Sequence, residues 1–134
     1  MKTLLFVFLF LILAFHFPAL ELGWYHTLPW LDIVMHIAGG AWVALLFNYI
    51  FAVRLGAVSP KNPLAFVILG LGFVSLVGIF WEFYEFGMDV LVLRAYPYNL
   101  EPGYILFDTH TDFANDLLGG LLVLGYAALR RRQG

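Results

Sequence analysis

Residues 64–89 read LAFVILGLGFVSLVGIFWEFYEFGMD. The first formal charge in this stretch is Glu82, after 18 residues (64–81) without one. A helix needs about 20 mostly apolar residues to cross a bilayer, so this segment predicts a transmembrane helix over about 64–90, following Pro63. Its far end changes character. Glu82, Glu85 and Asp89 stand at i, i+3 and i+7, on one helical face.

Three further stretches have the same character, over about 4–20, 31–53 and 109–129. Arg54 stops the second, and Arg130, Arg131 and Arg132 stop the fourth. The first could be a cleaved leader, with Lys2 before an apolar run. It lacks a small-x-small cleavage site, and retention as an anchor helix is expected. The expected fold is therefore an all-α membrane protein, a bundle of four transmembrane helices formed by one domain over 1–134.

Composition agrees. The chain is 63% hydrophobic and 12% charged, where soluble domains are about half apolar and a quarter charged. A chain of this size could not hide so much apolar surface from water. The absence of cysteine excludes disulfides and thiolate metal sites. Trp24, Tyr25 and Trp30 between the first two spans fit an interfacial aromatic belt. The longest connection, about 91–108, holds Pro97, Pro102 and Gly103, which are expected to break any helix there.

Lys and Arg give the orientation. With both termini in the cytoplasm, Lys2, Arg54, Lys61 and the three terminal arginines fall inside, and of the seven basic residues only Arg94 falls outside. The expected location is the plasma (inner) membrane, as a multi-pass protein. All nine acids (Glu21, Asp32, Glu82, Glu85, Asp89, Glu101, Asp108, Asp112 and Asp116) then lie toward the outer side. Acids barely influence topology, so their segregation needs its own cause.

Three helices carry the polar groups at helical spacing. Asp32 and His36 are four apart on the second; Glu82, Glu85 and Asp89 share a face of the third. Asp108, Asp112, Asn115 and Asp116 fall within about 100° on the fourth. Counted from the cytoplasmic edge at about 1.5 Å per residue, His36, Glu82 and Asp116 lie about 25, 27 and 20 Å up a hydrocarbon core of about 30 Å. A charge at membrane depth costs at least about 2.5–3.5 kcal/mol, so protons or a bound cation must neutralise the cluster. Carboxylates with one imidazole suit zinc, manganese or iron; carboxylates with Asn115 suit magnesium or calcium. The candidate ligands of a divalent metal ion are His36, Glu82, Glu85 and Asp112, with Asp108, Asn115 and Asp116 in support. The alternative is a hydrogen-bonded polar plug that fixes helix register. Asp32 reads equally well as an N-terminal helix residue favoured by the dipole. His110 is expected to face headgroups, and His16 and His26 are read as ordinary interface residues. Asn48 is expected to bond another helix. Gly39–Gly40, Gly119–Gly120, and Gly70, Gly72 and Gly78 are expected to let the helices close up below the polar layer.

The order D-x-x-x-H-x-x-G-G, W-E-x-x-E, D-x-x-x-D-x-x-N-D-x-x-G-G, carried by Asp32, His36, Gly39, Glu82, Glu85, Asp108, Asp112, Asn115 and Gly119, resembles the YjdF-like family of bacterial inner-membrane proteins. It is more weakly similar to VanZ-like proteins, through Asp112, Asn115 and Gly119, and departs from them at Glu85 and in the long 91–108 connection. These resemblances imply a small polytopic protein and a loose link to the cell envelope.

Two kinds of function are expected. One is a membrane enzyme with Glu82 or Glu85 as general base and a metal polarising a phosphoryl or acyl oxygen. Its partners would be membrane lipid and a lipid-linked or headgroup substrate. The other is non-enzymatic binding or transport of a cation or cationic ligand around a structural polar core. Ser59 and Ser75, the two serines, lie outside the polar layer and offer no nucleophile there. No nucleic-acid partner is expected.

Overall fold

The computed structural model describes residues 1–88, 91 and 102–130. It consists of α1 (Lys2–Glu21), a single turn α2 (Trp24–Thr27), α3 (Pro29–Phe47), α4 (Pro63–Gly87) and α5 (Pro102–Arg130). No strand occurs among the described residues. Four segments are long and apolar enough to cross a membrane: Lys2–Glu21, Pro29–Arg54, Pro63–Gly87 and Leu106–Arg130. They coincide with the four expected spans to within a few residues.

The ends are set by local chemistry. Gly23 adopts φ 65°, in the left-handed region open to glycine, and turns the chain out of α1. Pro29 and Pro63 occupy the first turns of α3 and α4, where the missing N–H costs nothing. Asn62 caps α4 by accepting from the Ala65 N–H at 3.5 Å. The second span ends in a π-helical turn, Asn48–Arg54.

The main difference from expectation is at α5. Pro102 does not break a helix; it is the first residue of one, a position where its fixed φ is already helical. The fourth helix therefore begins well before residue 109. Asp89, Arg94, Pro97 and Glu101 lie outside the described residues.

Three helices carry stripes at spacing three to four. On α4 the buried positions are Phe66, Gly70, Val74 and Gly78. On α5 they are Asp112, Asp116, Gly119, Gly120, Leu124 and Ala128. On α3 they include His36, Gly40, Val43, Ala44 and Phe47. Those stripes face one another: α3 packs most extensively on α5, and α5 on α4. The half of the bundle toward Arg54 and Arg130 is an apolar core of Val43, Ala44, Phe47, Phe66, Val74, Leu124 and Ala128. Phe47 stacks there against Phe51, Phe66 and Phe73 at centroid distances of 5.1–5.8 Å. The outward surface is equally apolar, with Phe6, Phe10, Leu64, Phe83 and Phe107 prominent. Apolar residues inside and out are what a lipid-embedded bundle requires.

Helix α1 is different. Only Leu5 and Ala19 are buried along it, and it meets α3 and α2 with far less contact to α4. Polar links help to hold it, among them one from Asn48 Nδ2 to the Met1 sulfur at 3.9 Å. The Trp42 indole N–H donates to the Leu5 carbonyl at 2.9 Å, and His16 Nδ1 lies 2.8 Å from the Tyr25 hydroxyl.

Close backbone approach joins α3 to α5. A Cβ on Gly40 would strike the Asp116 backbone carbonyl, and one on Gly119 would strike the Ile37 carbonyl. Gly70 lies against Leu124, and Gly120 against Val74. Gly72 has open space instead of the helix contact expected of it.

Candidate functional site

His36 is the hub of the polar layer. It sits one turn above Gly40, on the α3 face pressed against α5, and its side chain is 6% exposed. Nε2 lies 3.7 Å from Asp32 Oδ1 and 3.8 Å from Asp112 Oδ1. On the other side of the ring, Nδ1 lies 3.4 Å from Asp116 Oδ1. One imidazole thus meets three carboxyl groups from two helices. Asp112 and Asp116 are themselves buried, and the Asp32 and Asp112 carboxyls are within hydrogen-bonding reach of each other.

The separations are informative. A good N–H···O bond is about 2.7–3.2 Å, shorter than any of the three. Ligands about 2.0–2.2 Å from a shared tetrahedral ion stand on the order of 3.3–3.6 Å apart. Two sets of donor atoms could gather on one ion, each within 4.8 Å mutually: Asp32, His36 and Asp112, and His36, Glu82 and Glu85. His36 belongs to both.

The expected ligands distribute as follows. His36, Glu82, Glu85 and Asp112 fall in these two sets. Asp116 meets the opposite ring nitrogen, with its carboxylate against Gly78 and Gly39. Asp108 lies in the electrostatic neighbourhood of Glu82 and Asp112 but in neither set. Asn115 is half-buried, and its Nδ2 has no hydrogen-bond partner among the described residues. Glu82 bonds to Thr109, while its Oε1 is buried without a partner.

Asp32 is where geometry goes beyond the sequence. It has the dipole-favoured position in the first turn of α3, and it also joins the hub. Its i+4 spacing to His36 was the available signal. His16, read as an ordinary interface residue, also makes specific aromatic contacts. Its ring packs edge-on to Tyr25 and Trp81, each at 5.8 Å between centroids. Burial and the Asp32 and Glu85 carboxylates push the Tyr25 hydroxyl up to about 12, so it keeps its proton. His110 is exposed and outside the cluster, its Nδ1 2.6 Å from the Leu106 carbonyl; the His26 side chain lies outside the described residues.

A cavity of about 210 Å³ adjoins the hub. Asp32, His36, Glu85 and Asp116 line one part of it, and apolar side chains of α1, α3 and α4 line the rest.

A four-span bundle with buried acids is a membrane protein, and comparison agrees over nearly the whole chain: residues 1–133 match the family model described as "Predicted membrane protein (DUF2238)". The chain belongs to this family. No curated protein and no solved structure matches it. Membership in DUF2238 carries the membrane assignment; the finer YjdF-like and VanZ-like resemblances rest on the motif residues alone.

Proposed function

We propose that this DUF2238 protein binds a divalent metal ion at His36 and uses the site on a lipid or lipid-linked envelope substrate at the outer leaflet of the plasma (inner) membrane. The observation that carries the reading is the placing of Asp32 and Asp112 3.7 and 3.8 Å from one imidazole nitrogen, too far for direct bonds and near the spacing of ligands on a common ion. One imidazole with carboxylates is a donor set for zinc, manganese or iron. Such an ion offsets the charge that buried Asp112 and Asp116 would otherwise concentrate in the membrane.

The bound ion supplies Lewis-acid polarisation of a phosphoryl or acyl oxygen. The protein's own groups do the rest. Glu85, which lines the cavity, takes a proton from the attacking water as general base. Glu82, tied to Thr109, holds its neighbour's side of the cluster. Asp116 orients His36 from its Nδ1 side, the role such outer partners play for ligating histidines. The acids face outward and both termini the cytoplasm, in accord with the distribution of Lys and Arg.

A second reading rests on the Asp32–Asp112 contact: a shared proton would hold those carboxyls without any metal, as a structural core or a seat for a cationic ligand. Among the described residues the inner half is apolar apart from the buried Asn48, which argues against ion passage through a monomer. Elemental mass spectrometry on protein purified with zinc, manganese and magnesium separates the two. Stoichiometric metal in the wild type, lost in folded His36→Ala and Asp112→Asn variants, is expected. A wild type free of metal would sink the metal reading.

A further inference from the structure

We infer that the cavity between α1, α3 and α4 receives one hydrocarbon chain of a membrane lipid, with the lipid's headgroup at the His36 cluster. This deepens the proposed function, and its headgroup end rests on that reading.

The cavity is built lengthwise. On α3 its lining runs from Asp32 to Val43, and on α4 from Val74 to Glu85. Each run is 12 residues, eleven steps of about 1.5 Å or about 16 Å end to end. That is half of a hydrocarbon core of about 30 Å, the depth that one leaflet's chains occupy. Its ends differ in kind. The deep end is closed by Val43 and Val74, both members of the apolar core. The other end carries Asp32, His36, Glu85 and the Tyr25 hydroxyl. A ligand that fits must be apolar along its length and polar at one end, and it must stand parallel to the helices. Lipid chains meet all three conditions and are the solvent around the bundle.

The space is large enough to matter. Apolar cavities of about 150 Å³ stay dry and bind benzene, and this one measures about 210 Å³. Water would find few partners along its middle, where Leu9, Ile12 and Val77 form the wall. The side wall also offers an entry. Helix α1 closes the cavity yet packs far less on α4 than on α3, and the His16–Trp81 edge contact bridges that seam at the polar end. A chain can therefore enter from the leaflet between α1 and α4.

Photolabelling tests this, using a phospholipid with a diazirine in one acyl chain and the full-length protein in nanodiscs. Label is expected to concentrate in residues 9–16 and 74–81. It should fall about tenfold at those peptides in Ile12→Trp and, from a second helix, Val77→Phe, because a filled interior leaves no room for the chain. Leu11→Trp, on the exposed face of α1, should label as the wild type does. Metal content, read on the same samples, should be equal in all four proteins. Label spread evenly over lipid-facing residues outside those two stretches, such as Phe6 and Leu122, or unchanged in both filled variants, would overturn the inference whether or not metal is bound. A wild type without metal whose label is still lost in the filled variants would leave the chain site standing and remove only the metal reading.

Discussion

Gly40 of α3 faces the main-chain carbonyl of Asp116 of α5 with no space for a Cβ between them. The contact lies one turn below His36, and Gly119 makes the reciprocal one against Ile37. Backbone on backbone, it fixes how far Asp112 and Asp116 stand from the imidazole. Gly40→Val must push the helices apart, and overpacking of this kind costs about 1–3 kcal/mol. The expected result in detergent is a lower thermal midpoint together with loss of bound metal. Gly72 is the control. A Cβ there meets nothing, so Gly72→Ala should be neutral or stabilising by up to about 1 kcal/mol through helix propensity. Equal behaviour of the two variants would remove the crossing from its proposed role.

Gly78 gives a finer test. An added Cβ would lie 2.8 Å from Asp116 Oδ2, with the Phe113 ring beyond at 3.6 Å. In Gly78→Ala the carboxylate must swing, and it is the group that meets His36 Nδ1. The backbone has no reason to move, so the fold should survive with a modest loss of stability. Outer partners of ligating histidines typically matter 10–100-fold in metal affinity, and a weakening of about tenfold is expected by competition with a chelator. Unchanged affinity in a folded variant would mean that Asp116 does not orient the ring.

Much of the fold was legible because the bilayer supplies strong rules. Length, hydropathy and the Arg54 and Arg130 stops locate the spans, and the i, i+4 stripes identify the faces that meet. The polar residues of those stripes converge on His36, Asp112 in one set of donor atoms and Glu82 and Glu85 in another. What stayed hidden depends on packing between helices. Asp32 has two equally good local explanations, and only the approach of α5 shows that it reaches the hub. His16 stands alone in an apolar helix without a stripe, so no period could reveal its contact with Tyr25 and Trp81. Pro102 was misread because proline breaks a helix interior but suits a first turn; its meaning depends on where the helix begins.

The weak attachment of α1 has consequences of its own. Trp42→Phe removes the N–H that reaches the Leu5 carbonyl, and Tyr25→Phe removes the hydroxyl beside His16. Each hydrogen bond is worth about 0.5–1.5 kcal/mol, so either variant should stay folded. The double variant should expose α1 to limited proteolysis while the contact of α3 with α5 persists. The burial of Tyr25 beside the Asp32 and Glu85 carboxylates also predicts a pH response. Its hydroxyl is raised to about 12, above the ordinary value of about 10. The folded state thus holds that proton more tightly than the unfolded one. The contribution is complete below about pH 10 and is lost as pH rises toward about 12. Tyr25→Phe should flatten this alkaline fall in stability; an unchanged slope would show that the proton is not held by the fold.

Orientation can be read directly, because the chain has no cysteine of its own. Ser59→Cys lies in the connection between the second and third spans, and Glu21→Cys at the exposed end of α1. Lys2, Arg54 and Lys61 all belong to the Ser59 end, and positive loops stay in the cytoplasm. A membrane-impermeant maleimide added to intact cells should therefore label Glu21→Cys at once and Ser59→Cys only after permeabilisation. The acids share the Glu21 end with the mouth of the cavity, so this labelling pattern would put the candidate site on the outside. The opposite pattern would turn the His36 cluster toward the cytoplasm, and its substrate would have to be sought in the inner leaflet.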